Sequence, residues 1–127
     1  MICWVKIDRV LAIHSRQIAE HGGSDGVRDL GLLESALGRP VNIHAYEPDS
    51  DIAQLAAAYA FGIVKNHPFI DGNKRTGYVA METFLLRNGF ELNGTPADKY
   101  LTIISLAEGT LSEQQLADWL RERIAAV

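Results

Sequence analysis

The segment from Asp51 to Thr76 reads DIAQLAAAYAFGIVKNHPFIDGNKRT and contains the features that decide the fold. Apolar residues recur at helical spacing between positions 52 and 64, and alanines at 56, 57, 58 and 60 leave little side-chain bulk. Because other helices can pack closely against such a surface, we predict that this helix is the central one. Asp51 is a suitable cap for its first turn, and the proline after His67 should end it near Asn66.

The remaining helices are predicted from signals at their ends. Asp8 is a candidate cap for a first helix, which Gly22 and Gly23 can stop. Thr95 followed by Pro96 is typical of the start of a helix, here the fifth. The other predicted features are a second helix from Leu30 to Leu37 that stops before Pro40, a fourth from Asn73 or Lys74 to Asn88, and an end of the fifth at Gly109. A sixth helix starts at a capping box of Ser112 and Gln115, and it should bury Leu116, Trp119, Leu120 and Ile124.

Residues 41 to 46 alternate loosely between apolar and polar, which predicts a short strand or an exposed flap. A turn rich in acidic residues follows at 47–51. We therefore expect an all-α fold, a compact bundle of about six helices with a short β flap. The whole chain, residues 1–127, should form a single domain.

Composition excludes several classes of function. The chain has 12 Lys and Arg against 16 Asp and Glu, a net charge of −4, which argues against a protein that binds nucleic acid directly. Its longest apolar stretch, residues 55–64, is too short to span a membrane. Cys3 is the single cysteine, and charged residues from Lys6 onward interrupt any signal peptide, so we expect a cytoplasmic protein.

The loop HPFIDGNKRT, residues 67–76, carries the chemistry. Six of its ten side chains can ionise or form hydrogen bonds. Gly72 can adopt a positive φ, which would turn its own N–H and those of Asn73 and Lys74 inward at the start of a helix. Lys74 and Arg75 add positive charge to the helix N-terminus. This arrangement predicts an anion site, most naturally for phosphates.

Two further residues of the loop extend this prediction. A carboxylate such as Asp71 beside phosphates usually shares a Mg²⁺ ion with them. Histidine changes its charge near neutral pH, so His67 can accept a proton from an incoming hydroxyl. Together the loop provides the groups needed to transfer a phosphate-containing group from a nucleotide. Each residue also has a plain structural interpretation: His67 as a helix cap, the two cations as surface charges, and Phe69 as a core anchor.

The loop resembles the core motif of the Fic/Doc superfamily, H-P-F-x-[DE]-G-N followed by a variable residue and Arg. Similarity to the death-on-curing (Doc) branch, whose members are toxins of bacterial and phage toxin–antitoxin pairs, extends over residues 22–40 and 106–120. Two positions differ from most Fic adenylyltransferases. Lys74 replaces a glycine, as in the Doc branch, and Tyr78 replaces a second arginine that binds the terminal phosphates of the nucleotide.

The resemblance implies a protein kinase that moves the γ-phosphate of ATP to a threonine of elongation factor Tu and stops translation. It implies His67 as the base and Asp71 as the Mg²⁺ ligand. Lys74 and Arg75 would stabilise charge on the transferred group. The nucleotide-binding residues would be Phe69, Gly72, Asn73, Lys74 and Arg75. The flap at 41–47 would dock the target, with Tyr46 either as its main contact or as a simple edge residue.

The resemblance also implies a protein partner. Many Fic enzymes carry an inhibitory helix with the pattern [ST]-x-x-x-E-[GN], but here Ile104 stands four residues before Glu108. Inhibition should therefore come from a disordered segment of a cognate antitoxin that folds as a helix in a groove. Two alternatives remain: a Fic-type adenylyltransferase that moves AMP to a protein hydroxyl, and a catalytically silent domain that only binds the antitoxin.

Overall fold

Six helices and two short strands form the fold in a computed structural model that describes residues 1–127. In chain order the elements are α1 (Ile7–His21), α2 (Leu30–Tyr46), α3 (Ile52–Asn66), α4 (Asn73–Arg87), β1 (Phe90–Leu92), α5 (Pro96–Glu108), α6 (Glu113–Arg121) and β2 (Ile124–Ala126). The predicted bundle of six helices with one short β element is confirmed. None of the helices combines the length and apolar character that crossing a membrane requires.

Helix α3 is the central helix, as its alanines predicted. It packs against α2, α4, α5 and α6, and its residues from Ala53 to Ala60 are buried except Gln54. The Asp51 side chain accepts a hydrogen bond from the Gln54 N–H and caps the helix. Gly62 allows α3 and α2 to approach each other closely, because a Cβ there would lie 3.0 Å from the Ala36 carbonyl oxygen of α2.

Local signals placed most helix ends correctly. The Thr95 hydroxyl accepts from the Asp98 N–H at the start of α5, and Gly109 ends that helix with a φ of 87°. Ser112 and Gln115 form the reciprocal capping box of α6. The end of α3 at Asn66 and the start of α4 at Asn73 are likewise confirmed.

The predicted end of the second helix and the flap after it are wrong. Helix α2 continues through Pro40 to Tyr46, so residues 41–46 are helical and Tyr46 is an exposed side chain in its last turn. The proline costs α2 a backbone hydrogen bond, but Leu33, Ala36 and Pro40 are buried together on one face. Burial of that face against α3 outweighs the local signal to stop.

The β element lies elsewhere, where β1 and β2 pair antiparallel with Phe90 opposite Ala126 and Leu92 opposite Ile124. Ile124 is therefore a strand residue, not part of the last helix. Helix α1 begins at Ile7, so the residue before it is Lys6, and Asp8 lies in the first turn and does not cap the helix.

Candidate active site

The loop between α3 and α4 begins with a strained residue. His67 is the only residue other than glycine with a positive φ, at 52°. Its N–H donates to the Ile63 carbonyl and closes α3. The Arg28 guanidinium holds this turn from outside, because its Nε donates to the His67 carbonyl at 2.7 Å and its Nη2 to the Asn66 carbonyl at 2.9 Å. Backbone strain of this kind persists only where the surroundings enforce it.

A segment before α2, residues 22–29, runs along the loop, and we call it the brace. The N–H groups of Arg28 and Asp29 both donate to the Pro68 carbonyl, and the Ile70 N–H donates to the Gly26 carbonyl. The loop is thus tied to a neighbouring segment by backbone hydrogen bonds. It has little freedom to shift relative to α1 and α2.

The interior of the loop is anchored by Phe69, which is fully buried. Its ring stacks on that of His14 with centroids 3.8 Å apart. The Asn73 amide clamps the same residue, since Asn73 Oδ1 accepts from the Phe69 N–H and Nδ2 donates to the Phe69 carbonyl. Phe69 is therefore a core anchor without a surface for a nucleotide, and the Asn73 side chain is not free to hold phosphate. Of the expected nucleotide contacts, the Phe69 ring and the Asn73 amide are thus engaged inside the loop, and the backbone N–H of Asn73 is the group left free.

The start of α4, which we call the cradle, offers free backbone donors of the kind expected for an anion site, but the Gly72 N–H is not one of them because it donates to Asp71 Oδ1. Gly72 has a φ of 77° and turns the chain into the helix. The backbone N–H groups of Asn73, Lys74 and Arg75 have no acceptor within the chain, as expected for the first turn of a helix. The Lys74 side chain is exposed and the Arg75 side chain is partly buried, with Nη2 donating to the Gly22 carbonyl at 3.1 Å. Three free N–H groups and two cationic side chains thus belong to the same first turn of α4.

The Asp71 carboxylate lies beside this cradle. It accepts hydrogen bonds from the N–H groups of Gly72 at 2.8 Å and Ser24 at 3.3 Å. These bonds, first that of Gly72 and then that of Ser24, hold the pKa of Asp71 below its usual range. The carboxylate is therefore ionised at neutral pH and reachable from solvent.

The donor set at Asp71 fits Mg²⁺. No group of three or more His, Cys, Asp or Glu side chains could hold a metal ion by itself. Mg²⁺ is commonly bound through one or two carboxylates and takes its other ligands from phosphates and water. One ionised carboxylate next to a phosphate cradle matches that requirement, so Asp71 is the residue that would hold the ion.

A cleft of about 1010 Å³ brings the site together. It is lined by most of the residues singled out in the sequence: His67, Asp71, Gly72, Asn73, Lys74 and Arg75. Its opposite wall comes from α5, including Lys99, Ile103 and Ile104. Tyr46 and Phe69 are not among its lining residues. The cleft therefore brings together His67, Asp71 and the cradle, but not Tyr46, the predicted docking residue.

Beyond the cradle, the cleft contains Tyr78, and its side chain pairs with Glu82, which the sequence did not single out. The Tyr78 hydroxyl donates to Glu82 Oε2 at 2.8 Å, and Lys99 Nζ lies 3.8 Å from the same oxygen. Burial, and then the hydrogen bond to Glu82, raise the pKa of Tyr78, so its hydroxyl stays neutral. A neutral phenol paired with a carboxylate stands at the position where most Fic adenylyltransferases have an arginine.

His14 and Arg28 also escaped the sequence analysis. Arg28 has no local signal, because its partners are backbone carbonyls 38 and 39 residues away. His14 did have one, since it lies four residues after the buried Val10 and so occupies the core-facing side of α1. A histidine at a core position must find a hydrogen-bond partner.

Comparison with known proteins agrees with this geometry. Residues 4–85 match the sequence profile of the Fic/DOC family. Over 114 residues the chain is 34% identical to "Protein kinase doc" of Escherichia phage P1, and the aligned region covers 90% of each chain. Over 87 residues it is 38% identical to "Toxin Doc" of Mycolicibacterium smegmatis, covering 68% of this chain and 66% of that protein. This chain belongs to the Fic/DOC family.

Proposed function

We propose that this chain is the toxin of a toxin–antitoxin pair and acts as a protein kinase. Its substrates would be ATP and a threonine of elongation factor Tu, so it would act in the cytoplasm. The observation that carries the proposal is the cleft in which His67, Asp71 and the open N-terminus of α4 meet. The similarity to a relative named as a protein kinase supports the same activity.

The chemistry follows from the residues of the cleft. His67 would take the proton of the threonine hydroxyl as its oxygen bonds to the γ-phosphorus, while the bond from that phosphorus to the bridging oxygen of ADP breaks. The N–H groups at the start of α4, with Lys74 and Arg75, would stabilise the charge on the transferred group and on ADP. Asp71 would hold Mg²⁺, which supplies charge neutralisation to the phosphates when bound.

The Tyr78–Glu82 pair favours phosphate transfer over AMP transfer. In the wider family an arginine at the position of Tyr78 would bind the terminal phosphates and leave the α-phosphate for attack. Here a neutral hydroxyl occupies that position, and the nearby Lys99 is paired with the Glu82 carboxylate, so no unpaired cation replaces the arginine at that end of the cleft. The terminal phosphate would instead lie at the α4 cradle, next to His67.

The partner interactions belong to two surfaces. We propose that an antitoxin segment binds as a helix along the wall of the cleft formed by α5, where Tyr100 is a large exposed side chain. Tyr46, exposed at the end of α2, remains a candidate contact for elongation factor Tu, although as part of a helix and not of a flap.

Radiolabelled ATP tests the proposed reaction. Purified protein with Mg²⁺ and elongation factor Tu should incorporate ³²P from γ-labelled ATP and none from α-labelled ATP. His67→Ala should abolish incorporation, whereas Arg16→Ala, on the exposed face of α1, should leave it unchanged. Label arriving only from α-labelled ATP would instead identify an adenylyltransferase and overturn the proposal.

Growth measurements test the toxin role separately. Expression of the wild-type protein without an antitoxin should stop growth, and His67→Ala at the same protein level should not. Normal growth with intact wild-type protein present, together with no transfer of either label, would mean that the chain is a silent binding domain.

A further inference from the structure

A buried histidine lies directly beneath the candidate site. His14 of α1 is 2% exposed, and its Nε2 lies 2.8 Å from the backbone carbonyl oxygen of Asp71. A carbonyl oxygen can only accept, so the hydrogen bond requires that Nε2 carries the hydrogen. The other ring nitrogen, Nδ1, lies 3.8 Å from an Asp25 oxygen, a separation too long for a hydrogen bond.

The bonded carbonyl belongs to the peptide group that joins Asp71 to Gly72. In a trans peptide the C=O and N–H point in opposite directions, so fixing one of them fixes the other. The N–H of this peptide donates to Asp71 Oδ1 at 2.8 Å. The hydrogen bond from His14 therefore fixes the orientation of the peptide. That orientation in turn determines where the Gly72 N–H holds the Asp71 carboxylate.

We propose that His14 is a positioning residue, which orients the Asp71 carboxylate toward Mg²⁺ through the Asp71–Gly72 peptide. The inference rests on the proposed function for the identity of the ion. His14 itself does not line the cleft and would touch neither nucleotide nor metal. It acts as the outer hydrogen-bond partners of metal ligands do, by limiting the orientations of the ligand.

The alternative is that His14 only fills space. Its ring stacks on Phe69 at an interplanar angle of 7°, and a packing role would need the ring but not the Nε2 hydrogen. Two variants separate these roles. His14→Phe keeps an aromatic ring against Phe69 and removes the donor. His14→Gln removes the ring but places an amide donor at about the reach of Nε2.

The two variants should rank in opposite orders in two measurements. Urea unfolding should show His14→Gln as the less stable protein, because it loses the stacked ring. Calorimetric titration with a non-hydrolysable ATP analogue should show that His14→Phe needs roughly 10-fold more Mg²⁺ for half-maximal binding, as is typical when an outer partner of a metal ligand is lost. His14→Gln should stay within about threefold of wild type in that titration, since it restores the donor.

Asp25→Asn is the matched control, since it removes the charge near Nδ1 and leaves the Nε2 bond intact. It should require the same Mg²⁺ concentration as wild type. A Mg²⁺ requirement that follows stability, with His14→Phe better than His14→Gln, would overturn the proposal. So would a loss in Asp25→Asn as large as that in His14→Phe.

The binding assay keeps this inference distinct from the proposed kinase activity. If wild-type protein transfers no phosphate but binds the analogue with Mg²⁺, the kinase proposal fails while the ranking of the variants still decides the role of His14. Wild-type protein that binds the analogue equally well with and without Mg²⁺ would overturn the positioning role itself.

Discussion

Gly23 packs against the outer side of the Asp71 carboxylate, and its missing side chain matters for the site. A Cβ at this position would lie 2.6 Å from Asp71 Oδ2, closer than nonbonded atoms approach. We expect Gly23→Ala to push the carboxylate aside and to raise the Mg²⁺ concentration needed for nucleotide binding by roughly 10-fold. Calorimetric titration of Mg²⁺ with a non-hydrolysable ATP analogue measures this change.

Gly22→Ala is the matched control for the backbone. Gly22 also has a positive φ, 83°, but a Cβ there would meet no atom within 4 Å. Both substitutions should therefore cost stability, about 1–3 kcal/mol for a residue forced into this conformation. An equal rise in the Mg²⁺ requirement for both variants would show that strain in the brace, and not displacement of Asp71, is responsible.

The sequence singled out residues of the candidate site only where the residue type itself indicates binding or catalysis. The sequence identified Asp71, Gly72 and His67 because a carboxylate, a glycine and a histidine in one short loop indicate a site. It assigned the Asn73 side chain to phosphate because an amide can donate to a phosphate as well as to a backbone carbonyl. The buried clamp of Asn73 on Phe69 depends on how deeply the loop sits, and no local pattern encodes that depth.

At the scale of elements, Asp51 joins the start of α3 to the end of α6. Its carboxylate caps α3 and also accepts two hydrogen bonds from the Arg121 guanidinium. The Arg121 hydrogen bond is the main reason that the pKa of Asp51 is lowered. We expect Asp51→Ala to lose about 1–2 kcal/mol of unfolding free energy, and Asp51→Asn to lose less, because the amide oxygen still caps the helix while the exposed ion pair contributes little.

The pH dependence of that loss follows from the sign of the pKa shift. Because the folded-state pKa is lowered, the ion pair contributes fully above the ordinary carboxyl value of 3.8 and is lost as pH falls through the folded value. The difference between wild type and Asp51→Asn in urea unfolding should therefore be present at neutral pH and shrink below the ordinary value. A difference that stayed constant down to the acid transition would contradict the ion-pair explanation.

The crossing of α2 and α3 depends on a glycine. A Cβ at Gly62 would lie 3.1 Å from the Ala36 Cα and 3.0 Å from its carbonyl oxygen, and neither backbone atom can move aside easily. We expect Gly62→Ala to lower the unfolding free energy by about 1–3 kcal/mol, as overpacking of a core does. Gly38→Ala in α2 meets nothing closer than 3.9 Å and should raise it by about 0.5–1 kcal/mol.

Chemical denaturation of the two alanine variants measures both values under the same conditions. Opposite signs would show that close contact, and not helix propensity, governs Gly62. If both substitutions stabilised the protein, α2 and α3 would not be in the close contact that Gly62 and Ala36 make.

Elements were predictable where their ends are local. Caps such as Asp51, Thr95 and Ser112 bond to residues three positions later, so a short stretch of sequence shows both partners side by side. Helix α2 was predicted too short because the stabilisation that carries it through Pro40 comes from burial against α3. Ile124 has apolar spacing that suits a helix, but its strand partner is Leu92, which lies 32 residues earlier.

Across the whole molecule, charge is distributed unevenly. The chain carries a net charge of −4, yet Lys74 and Arg75 stand together at the cleft with a free helix N-terminus. Composition argued against binding to a nucleic-acid backbone, because that requires a broad basic surface. It could not reveal a phosphate site, since a site of this size needs only two cations and a few backbone N–H groups.

The cradle depends on α1, the brace, α3 and α4 being in place together, so a bound nucleotide should stabilise the whole fold. A ligand at 100 times its dissociation constant adds about 2.7 kcal/mol to the unfolding free energy, which for a chain of this size corresponds to a rise in Tm of roughly 10 °C.

We expect that rise in Tm with Mg²⁺ and a non-hydrolysable ATP analogue, measured by calorimetry. Asp71→Asn should lose most of it, because the carboxylate is the proposed Mg²⁺ ligand of the chain. His67→Ala should keep it, since the proposed role of His67 is to accept a proton and it is not part of the cradle. Loss of the shift in both variants would mean that His67 helps to bind the nucleotide, and its role as proton acceptor would then need separate support.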